Sequence, residues 1–314
     1  MTHKVLSYDI GGTKVAVGVV TSRGRILEEI RVPVQLEQGK TAVISRLVEL
    51  GRQMIRQHKD IKWVGIASAG PLNPITGELL DPTNFVSSKG SWGKVPLAKI
   101  MTQELKRPAY LDNDAAAAML AERWIGAAKK YKNSMILTLG TGLGTGMICN
   151  GELVRAGRNL HPEAGHMIIR FNDPTAPCGC GNFGCAKAYL SGKNFTRRTQ
   201  LRFANPNLSS KDIVNLARKQ DPLALAAFEE YAEIMAVTIH NFVRLYSPEL
   251  IVFAGSFAAA ADLFIPSTRK YLEVYLARER KGIDLMPKLE VSKLNNSSGI
   301  IGGAYIALLR KNLI

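Results

Sequence analysis

Two glycine-rich turns, each flanked by segments of β-forming residues, constrain the fold of this chain more than any other feature. The first lies in “KVLSYDIGGTKVAVGVV”, near residue 10, and the second lies in “SMILTLGTGLGTGMICN”, near residue 140. Helical segments and further strands follow each turn, and this interspersion is typical of α/β proteins. The duplication predicts two similar lobes with a cleft between them. A Rossmann fold is disfavoured, because its glycine fingerprint lies between a strand and a helix.

Hydrophobic periodicity predicts most of the remaining elements. Helical patterns cover residues 41–58 and 223–246, and Pro248 follows the second of them. Further helices are predicted for “LAKIMTQEL”, for the alanine-rich segment after Asp114 and for “GIIGGAYIALLRKN”. The segment “NPITGELLDPTNF” is predicted to be a loop. A chain of 314 residues is long enough for two domains.

The charge of the chain restricts its partners. The net charge is +15, but the basic residues are spread along the sequence, and apart from one modest cluster at “RKYLEVYLARERKG” no basic run has interleaved aromatic residues. This pattern disfavours nucleic-acid binding and is compatible with anionic small molecules such as nucleotides. No apolar run reaches the roughly 18 residues of a membrane span, and the N-terminus has no secretory pattern. We therefore expect a cytoplasmic protein with no membrane partner.

Both glycine turns have the composition of phosphate-binding loops. In the first, glycines let backbone N–H groups approach an anion, a threonine adds a hydroxyl donor, and the preceding Asp9 is suited to hold Mg²⁺ or its water shell. The structural alternative is a pair of tight hairpins, but two of them in one chain favour a nucleotide bound by both. At “IVFAGS” the small residues can pack against an adenine ring, although an ordinary loop is the alternative. The predicted cofactor-binding residues are Asp9, Gly11, Gly12, Thr13, Lys14, Gly140, Thr141, Gly142, Gly144 and Gly255.

The segment “LDNDAAAAML” places two polar residues, Asn113 and Asp114, where a helix begins. Taken alone, this pattern is typical of a helix cap. The functional alternative is that the Asp114 carboxylate is a general base that accepts the proton of an attacking hydroxyl.

Three of the four cysteines fall within eight residues, in “CGCGNFGC”, and a histidine precedes them. Because a cytoplasmic chain is kept reduced, metal binding is favoured over a disulfide. His166 with Cys178, Cys180 and Cys185 has the composition of a Cys₃His zinc set, and four protein ligands make a closed, structural site. Such a site would fix the loop that carries Glu163, whose carboxylate can accept two sugar hydroxyls.

The ordered set of segments resembles the ROK family of sugar kinases, which shares the ATP-binding fold of actin, hexokinase and the Hsp70 chaperones. The resemblance covers nearly the whole chain and includes “DIGGTK”, “GIASAGPLNPITG”, “PTNF”, “LDNDAAAA”, “LGTGLGTG”, “HPEAGH”, “CGCGNFGC” and the final glycine-rich helix. It implies an α/β protein with two RNase H-like (actin-like ATPase) lobes, which we predict to be residues 1–112 plus 298–314 and residues 113–297.

The resemblance also implies roles for particular residues. Asp9 looks like the acidic residue that holds magnesium through water, and the glycine turns look like the two phosphate loops. Asp114 is similar to the base that deprotonates the sugar 6-hydroxyl. The other implied sugar contacts are Asn84, Asn113, Glu163 and His166, and the family's zinc set matches His166, Cys178, Cys180 and Cys185.

One position departs from the family pattern. In the family, the third cysteine is usually the first residue of a C-x-E pattern, and the glutamate of this pattern reaches the sugar near C1. In this chain the position of that glutamate is occupied by Lys187. The substitution replaces an acceptor with a donor of opposite charge. Lys187 is therefore predicted to contact substrate, with three alternatives: a sugar that is anionic near C1 or C2, an ion pair with Glu163 that alters a glucose site, or sugar binding without efficient turnover. A smaller departure, “LHPEAGH”, makes His161 either a specificity contact or an incidental surface residue.

The implied reaction is transfer of the γ-phosphate of ATP to a hexose hydroxyl, most simply the 6-hydroxyl of glucose or a related sugar, with Mg²⁺ and a structural Zn²⁺ bound. Polyphosphate is the alternative donor. Family members that repress transcription carry a helix-turn-helix domain ahead of the kinase-like core, and the position of Asp9 leaves no room for one here. A non-catalytic sugar-binding protein is the third alternative. The family expectation for assembly is a homodimer.

Overall fold

The structure is a computed structural model, and it describes residues 2–82, 84–87, 90–277 and 283–313. Its strands are β1 (Lys4–Ile10), β2 (Lys14–Thr21), β3 (Ile26–Pro33), β4 (Ile61–Ser68), β5 (Leu72–Asn73), β6 (Glu78–Leu80), β7 (Val86–Ser87), β8 (Gly90–Ser91), β9 (Lys94–Val95), β10 (Ala109–Asn113), β11 (Ser134–Leu139), β12 (Leu143–Cys149), β13 (Glu152–Leu153), β14 (Leu250–Ala254) and β15 (Lys288–Val291). Its helices are α1 (Lys40–Gln57), α2 (Leu97–Leu105), α3 (Asp114–Ile125), α4 (Ala186–Leu190), α5 (Gly192–Arg202), α6 (Ser210–Arg218), α7 (Pro222–Tyr246), α8 (Ile265–Leu276) and α9 (Ser298–Leu309). Part of the basic cluster at residues 269–282 lies outside the described residues.

The two long helices predicted from periodicity are present as α1 and α7, each within one residue of its predicted ends. The loop predicted around residues 73–85 is wrong in part, because β5 and β6 pair there as a short antiparallel hairpin. The Asn73 side chain accepts two backbone N–H groups and closes the turn. Leu72 and Leu79 enter the core. The turn-forming residues between them hide this hairpin from a periodicity argument, because each strand is too short to alternate.

The chain divides into two compact units. Unit 1 comprises Met1–Lys129, Leu153–Pro162 and Ser297–Ile314, and unit 2 comprises Lys130–Glu152 and Glu163–Asn296. Unit 1 is built on a five-stranded sheet of order β10-β4-β1-β2-β3, and unit 2 on a five-stranded sheet of order β13-β12-β11-β14-β15. In both sheets the strand before the glycine turn pairs antiparallel with the strand after it and parallel with a later strand. The α/β class and the predicted duplication are thus confirmed.

Strand β1 of unit 1 separates a core face from a functional face, because successive side chains of a strand point to opposite sides. The face toward α1 and α2 carries Leu6, Tyr8 and Ile10, which are fully buried. The opposite face, toward α9, carries Val5, Ser7 and Asp9. The Ser7 hydroxyl donates to the carbonyl of Ile300 at 2.6 Å. Asp9 is therefore directed by the pleat toward the start of α9.

Helix α9 lies unusually close to its neighbours in unit 1 because glycines line the contacts. A Cβ on Gly65 of β4 would lie 1.8 Å from the carbonyl oxygen of Gly303, and a Cβ on Gly302 would lie 1.9 Å from the carbonyl oxygen of Ala117 in α3. No real Cβ tolerates such distances, so these positions require glycine. Close packing thus explains why the helix predicted at the C-terminal end of the sequence is rich in glycine.

Unit 2 is built around α7, which packs against α8, α6 and α4. Aromatic rings from several elements meet at its buried face, including Phe195 with Phe228 at 4.7 Å between ring centroids and Tyr231 with Phe264 at 5.0 Å. This core supports β11 and β14, which carry the second glycine turn and the glycine after β14. Of the helices in the described part of the chain, none combines the length and apolar character that a membrane span needs.

Candidate active site

The first glycine turn and the predicted acidic residues meet at one edge of the sheet in unit 1. Strands β1, β4 and β10 are parallel, so their carboxyl ends lie at the same edge. Asp9 is the penultimate residue of β1, and Asp114 follows the last residue of β10. The carboxyl edge of parallel strands is where α/β proteins place their ligands. Two carboxylates beside a glycine turn can together bind a cation and orient a hydroxyl group.

Asp9 is held in an environment that disfavours its charged form. Burial, and then the nearby Asp114 carboxylate, raise the pKa of Asp9 to about 7, while Arg31 opposes and Glu29 reinforces the change. Gly299 of α9 packs directly on this side chain, since a Cβ there would lie 2.2 Å from Asp9 Oδ2. A divalent cation at this carboxylate would favour its ionised form, so the residues present fit the predicted Mg²⁺.

Asn113 is the N-cap of α3, as its position in the sequence predicted on structural grounds. Its side-chain oxygen accepts the N–H groups of Ala115 at 2.8 Å and Ala116 at 3.1 Å. Asp114 Oδ1 accepts the same Ala115 N–H at 2.8 Å. The cap fixes the direction in which Asp114 leaves the helix, so the structural and functional interpretations of this pair are compatible.

An ion pair between the buried Asp112 and the more exposed Arg155 supports this segment, and the sequence analysis did not find it. Asp112 is 2% exposed, and its carboxylate accepts hydrogen bonds from Nη1 and Nη2 of Arg155. The distance from Nη1 to Oδ1 is 2.7 Å. The same Oδ1 accepts the backbone N–H of Asn113 at 2.8 Å. A bidentate pair of this kind restrains both partners. Only the “LDND” motif hinted at it, since the arginine is 43 residues away.

The backbone of the first glycine turn is closed by two hydrogen bonds. The Gly11 N–H donates to the carbonyl of Lys14 at 3.0 Å, and the carbonyl of Thr13 accepts the N–H of Val34 at 3.0 Å. Thr13 and Lys14 are exposed. Asn84 packs beside Gly12, where a Cβ would lie 3.3 Å from the Asn84 Cβ. The structure therefore brings the predicted sugar contact Asn84 to the first phosphate turn.

The second glycine turn lies at the matching edge of unit 2. The Gly140 N–H donates to the carbonyl of Gly142 at 3.0 Å, and Thr141 is exposed. Gly255 follows β14 with φ +87°, and a Cβ there would lie 2.4 Å from the carbonyl oxygen of Leu139. Gly255 therefore needs both the left-handed conformation and the close approach that glycine allows. Gly144 is part of β12, so it belongs to a strand and not to the turn.

An open cavity of about 840 Å³ begins at this turn and lies entirely within unit 2. Gly140 and Thr141 line one end, and α5, α6 and the 3₁₀ segment Ser256–Leu263 line the rest. The basic residues in its lining are Lys193, Arg197, Lys211 and Arg218. Arg218 is paired with Asp262. A cavity of this size and charge accommodates an anionic ligand of nucleotide dimensions.

The Cys₃His residues come together as the sequence predicted. The potential ligand atoms of His166, Cys178, Cys180 and Cys185 all lie within 4.8 Å of one another, with Cys180 Sγ 3.8 Å from Cys185 Sγ. Ligand atoms of a tetrahedral zinc with Zn–S bonds of about 2.3 Å are separated by roughly 3.8 Å. Burial and the neighbouring Cys180 thiol raise the pKa of Cys185 to about 12, so a bound cation would be needed to hold it as a thiolate. The geometry and the donor set fit Zn²⁺.

Glu163 precedes a short 3₁₀ turn, Ala164–His166, that ends at His166 and packs on β12 of the same unit. A Cβ on Gly165 would lie 2.4 Å from the carbonyl oxygen of Leu143. His166 directs Nδ1 to Cys178 Sγ at 3.3 Å, which leaves Nε2 for another partner. Burial, and then the Lys187 ammonium, lower the pKa of His166, so the imidazole is neutral at pH 7 and suited to bind a metal. His161 is buried in unit 1, so its interpretation as an incidental surface residue is wrong.

Lys187 lies on α4 between the His166 segment and the second glycine turn. The N–H of its neighbour Ala186 donates to the carbonyl of Met167 at 2.9 Å, which anchors the start of α4. A Cβ on Gly142 would lie 3.2 Å from Lys187 Cε and 3.7 Å from its Nζ. The ammonium is half-buried and forms no ion pair with a carboxylate of the described residues.

Comparison with known proteins gives a consistent result along the whole chain. A model of the ROK family matches residues 5–310. A glucokinase of Halalkalibacterium halodurans is 27% identical over 322 aligned residues, which cover 97% of this chain and 94% of that protein. An N-acetyl-D-glucosamine kinase of Citrobacter koseri is 31% identical over 310 residues, which cover 96% of this chain and 98% of that protein.

The solved structures agree. A ROK family glucokinase from Streptomyces griseus, in complex with glucose and AMPPNP, superposes with a TM-score of 0.82 at 27% identity, covering 98% of this chain and 99% of that one. This likeness confirms the predicted actin-like ATPase fold with two RNase H-like lobes.

Proposed function

The chain belongs to the ROK family and is a sugar kinase, and on this premise we propose that it transfers the γ-phosphate of ATP to the 6-hydroxyl of glucose or a related hexose. The observation that supports this reaction most directly is the pair of carboxylates, Asp9 and Asp114, at the carboxyl edge of parallel strands beside a glycine turn. Phosphoryl transfer needs little beyond positioning, neutralisation of phosphate charge and a base for the hydroxyl proton.

In this proposal Asp114 accepts the proton of the attacking hydroxyl. Its carboxylate is oriented by the capped start of α3 and by the bond that Oδ1 accepts from the Ala115 N–H. Asn113, Asn84, Glu163 and His166 supply hydrogen-bonding groups for the sugar. Asp9 would hold Mg²⁺ through water, and this ion would neutralise phosphate charge when bound.

The donor is proposed to bind at the second glycine turn, with its nucleoside in the cavity of unit 2. The turn that contains Gly140 and Thr141 opens directly into this cavity, and Lys193, Arg197 and Lys211 add positive charge along it. Inorganic polyphosphate is also an extended anion, so the donor has to be tested as well as the sugar.

Two relatives bear on the choice of sugar. The glucokinase and the N-acetyl-D-glucosamine kinase are both full-length relatives at 27% and 31% identity, so neither name takes precedence. An acidic sugar remains an alternative because of Lys187. We further propose a structural Zn²⁺, a homodimer and a cytoplasmic location, the assembly being testable by light scattering of the purified protein.

A substrate panel tests the proposal. Wild-type protein and the Asp114→Asn variant are assayed with ATP and Mg²⁺, or with polyphosphate, against glucose, mannose, fructose, N-acetylglucosamine, N-acetylmannosamine and sugar acids. We expect turnover of at least one hexose by the wild type and a loss of about 10²–10⁴-fold in kcat for the variant, because the general base is removed. Equilibrium binding of the sugar should be nearly unchanged in the variant. Wild-type turnover in Asp114→Asn would refute the assignment of the base, and inactivity of the wild type toward every sugar would refute the kinase.

A further inference from the structure

Lys187 is the one half-buried lysine that borders a phosphate turn in the described part of unit 2. Gly142 has no side chain, and the side chain of Lys187 lies next to it. A Cβ on Gly142 would lie 3.2 Å from Lys187 Cε and 3.7 Å from Lys187 Nζ. The ammonium therefore lies at the turn itself and not merely in its neighbourhood.

The ionic contacts of this ammonium are a second relevant feature. It forms no ion pair with a carboxylate of the residues that the structure describes, although it is half-buried. A partly desolvated cation gains most from an anion that binds next to it. Glycine-rich turns also bind anions through backbone N–H groups, and Thr141 of this turn is exposed.

The position of the lysine is set by its helix and not by chance rotation of an exposed chain. The residues on both sides of Lys187 are buried, and the carbonyl of Lys187 accepts the side-chain N–H of Asn194 at 3.0 Å. The start of α4 is tied to Met167 through the Ala186 N–H. A fixed backbone limits the volume that the ammonium can reach, and this volume includes the turn at Gly142.

We propose that Lys187 binds the terminal phosphate of the donor at the second glycine turn and stabilises the negative charge on the phosphoryl group during transfer. This inference rests on the proposed kinase reaction. In that reaction the sugar oxygen forms a bond to the γ-phosphorus, the bond from phosphorus to the β,γ-bridging oxygen breaks, and ADP keeps the electron pair. The hydroxyl proton passes to Asp114. Lys187 keeps its own proton throughout and acts as a charged hydrogen-bond donor.

The proposal differs from the alternatives that the sequence left open for this residue. A lysine that contacts an acidic sugar would affect sugar affinity, whereas a lysine at the terminal phosphate affects ATP and leaves ADP almost untouched. The difference between ATP and ADP is therefore the sharpest readout, and it does not depend on turnover.

Four variants test it. Lys187→Met removes the charge and keeps the length of the stem, Lys187→Arg keeps the charge, and Lys187→Glu reverses it. Lys219→Met, at an exposed lysine after α6 in the same unit, is the matched control. Affinities for ATP, ADP and each sugar are measured by calorimetry in the presence of Mg²⁺, and initial rates are measured at varied donor concentration.

We expect Lys187→Met to lower kcat/KM for ATP by about 10²-fold. ATP affinity should fall while ADP and sugar affinities stay within about twofold, and Lys187→Arg should retain most of the activity. Lys187→Glu should be the weakest ATP binder, and Lys219→Met should match the wild type. Equal losses for ATP and ADP, an unchanged ATP affinity in Lys187→Met, or a loss confined to sugar affinity would each overturn the proposal. An inactive wild type would refute the kinase function. It would not decide the role of Lys187, because the nucleotide affinities test that role without turnover.

Discussion

At the scale of single residues, the candidate site in unit 1 brings the carboxylates of Asp9 and Asp114 close together, and the nearby Arg31 compensates their charge only in part. Asp9 lies on the face of β1 that the pleat directs toward α9, and Gly299 approaches it closely. Burial and Asp114 raise its pKa to about 7. The charged form of Asp9 thus destabilises the ligand-free protein and favours cation binding. This is a common arrangement at functional sites, where stability and function conflict.

The Asp9→Asn variant should show this conflict as a change in pH dependence. A carboxyl whose pKa is higher in the folded state than in the unfolded state stabilises the fold at low pH, and this stabilisation is lost as pH rises from about 4 through about 7. Asparagine does not titrate. The variant should therefore be more stable than the wild type at pH 8, on the order of 2 kcal/mol, and no more stable at pH 4.

The measurement is urea unfolding of both proteins at several pH values without divalent ions. The groups near Asp9, namely Asp114, Arg31 and Glu29, are the same in both proteins. A stability difference that does not vary with pH would contradict the assignment.

At the scale of elements, α9 is positioned by backbone contact rather than by side-chain packing. Gly302 meets the Ala117 carbonyl of α3, and Gly303 meets Gly65 of β4. Close contacts of this kind bring the helix N-terminus to Asp9. The glycines that look like a flexible motif in the sequence are, in the fold, a packing surface.

Gly302→Ala should therefore be strongly destabilising. The new Cβ would lie 1.9 Å from the Ala117 carbonyl oxygen, so α9 or α3 would have to move. We expect a loss of about 3 kcal/mol or more in unfolding free energy, measured by chemical denaturation. Gly157→Ala, at a glycine of the same unit with open space around its Cβ position, is the control and should change stability by less than about 1 kcal/mol. Equal effects of the two substitutions would refute the packing argument.

The cysteine loop of unit 2 is a second element whose position depends on a small number of groups. It is linked to the His166 segment through the isolated bridge between Ile168 and Cys185 and through the four clustered ligands. The same segment carries Glu163 and precedes α4, which carries Lys187. A metal here would stabilise two proposed substrate contacts at once.

Metal analysis of the purified protein should find about one zinc per chain, and Cys180→Ser should reduce this content and lower the midpoint of thermal unfolding, because one of four ligands is lost. Cys149→Ser is the matched control, since Cys149 lies outside the ligand cluster. It should retain the wild-type metal content. Wild-type protein without metal, or equal loss in both variants, would contradict the Cys₃His site.

At the scale of the whole molecule, unit 1 is assembled from three separate stretches of chain. Its last helix, α9, comes from the C-terminus and completes a core cluster with β1 and β2. Ile300, Ala304, Ala307 and Leu308 are buried there against Val5, Ala16 and Val20. Such long-range closure makes the folding of unit 1 dependent on the complete chain.

Removal of residues 297–314 should accordingly prevent unit 1 from folding, because it exposes the apolar face of β1 and β2 and removes the partner of the Ser7 hydroxyl. Hydrogen exchange should then show loss of protection in β1, β2 and β4, whereas removal of residues 312–314 should leave protection unchanged. Native protection of β1 in the longer truncation would refute the dependence.

Much of the candidate site could be predicted from the sequence because its parts are local. The glycine turns, the Asn113 cap with Asp114 and the cysteine cluster each depend on residues within a few positions of one another. The hairpin of β5 and β6 was missed because its strands are too short to show a period. Arg155 was missed because its partner Asp112 is 43 residues away and no local pattern joins them.

The sequence by itself determined the α/β class, the duplicated turns and the chemistry of each motif, since strand and helix periods and the properties of side chains are local. Only the tertiary structure decided that Lys187 lies at Gly142, that Asp9 meets Gly299 and that Arg155 reaches Asp112. Those proximities follow from strand register and close helix packing. Both depend on residues that are far apart in the chain, so no single segment of the sequence shows them.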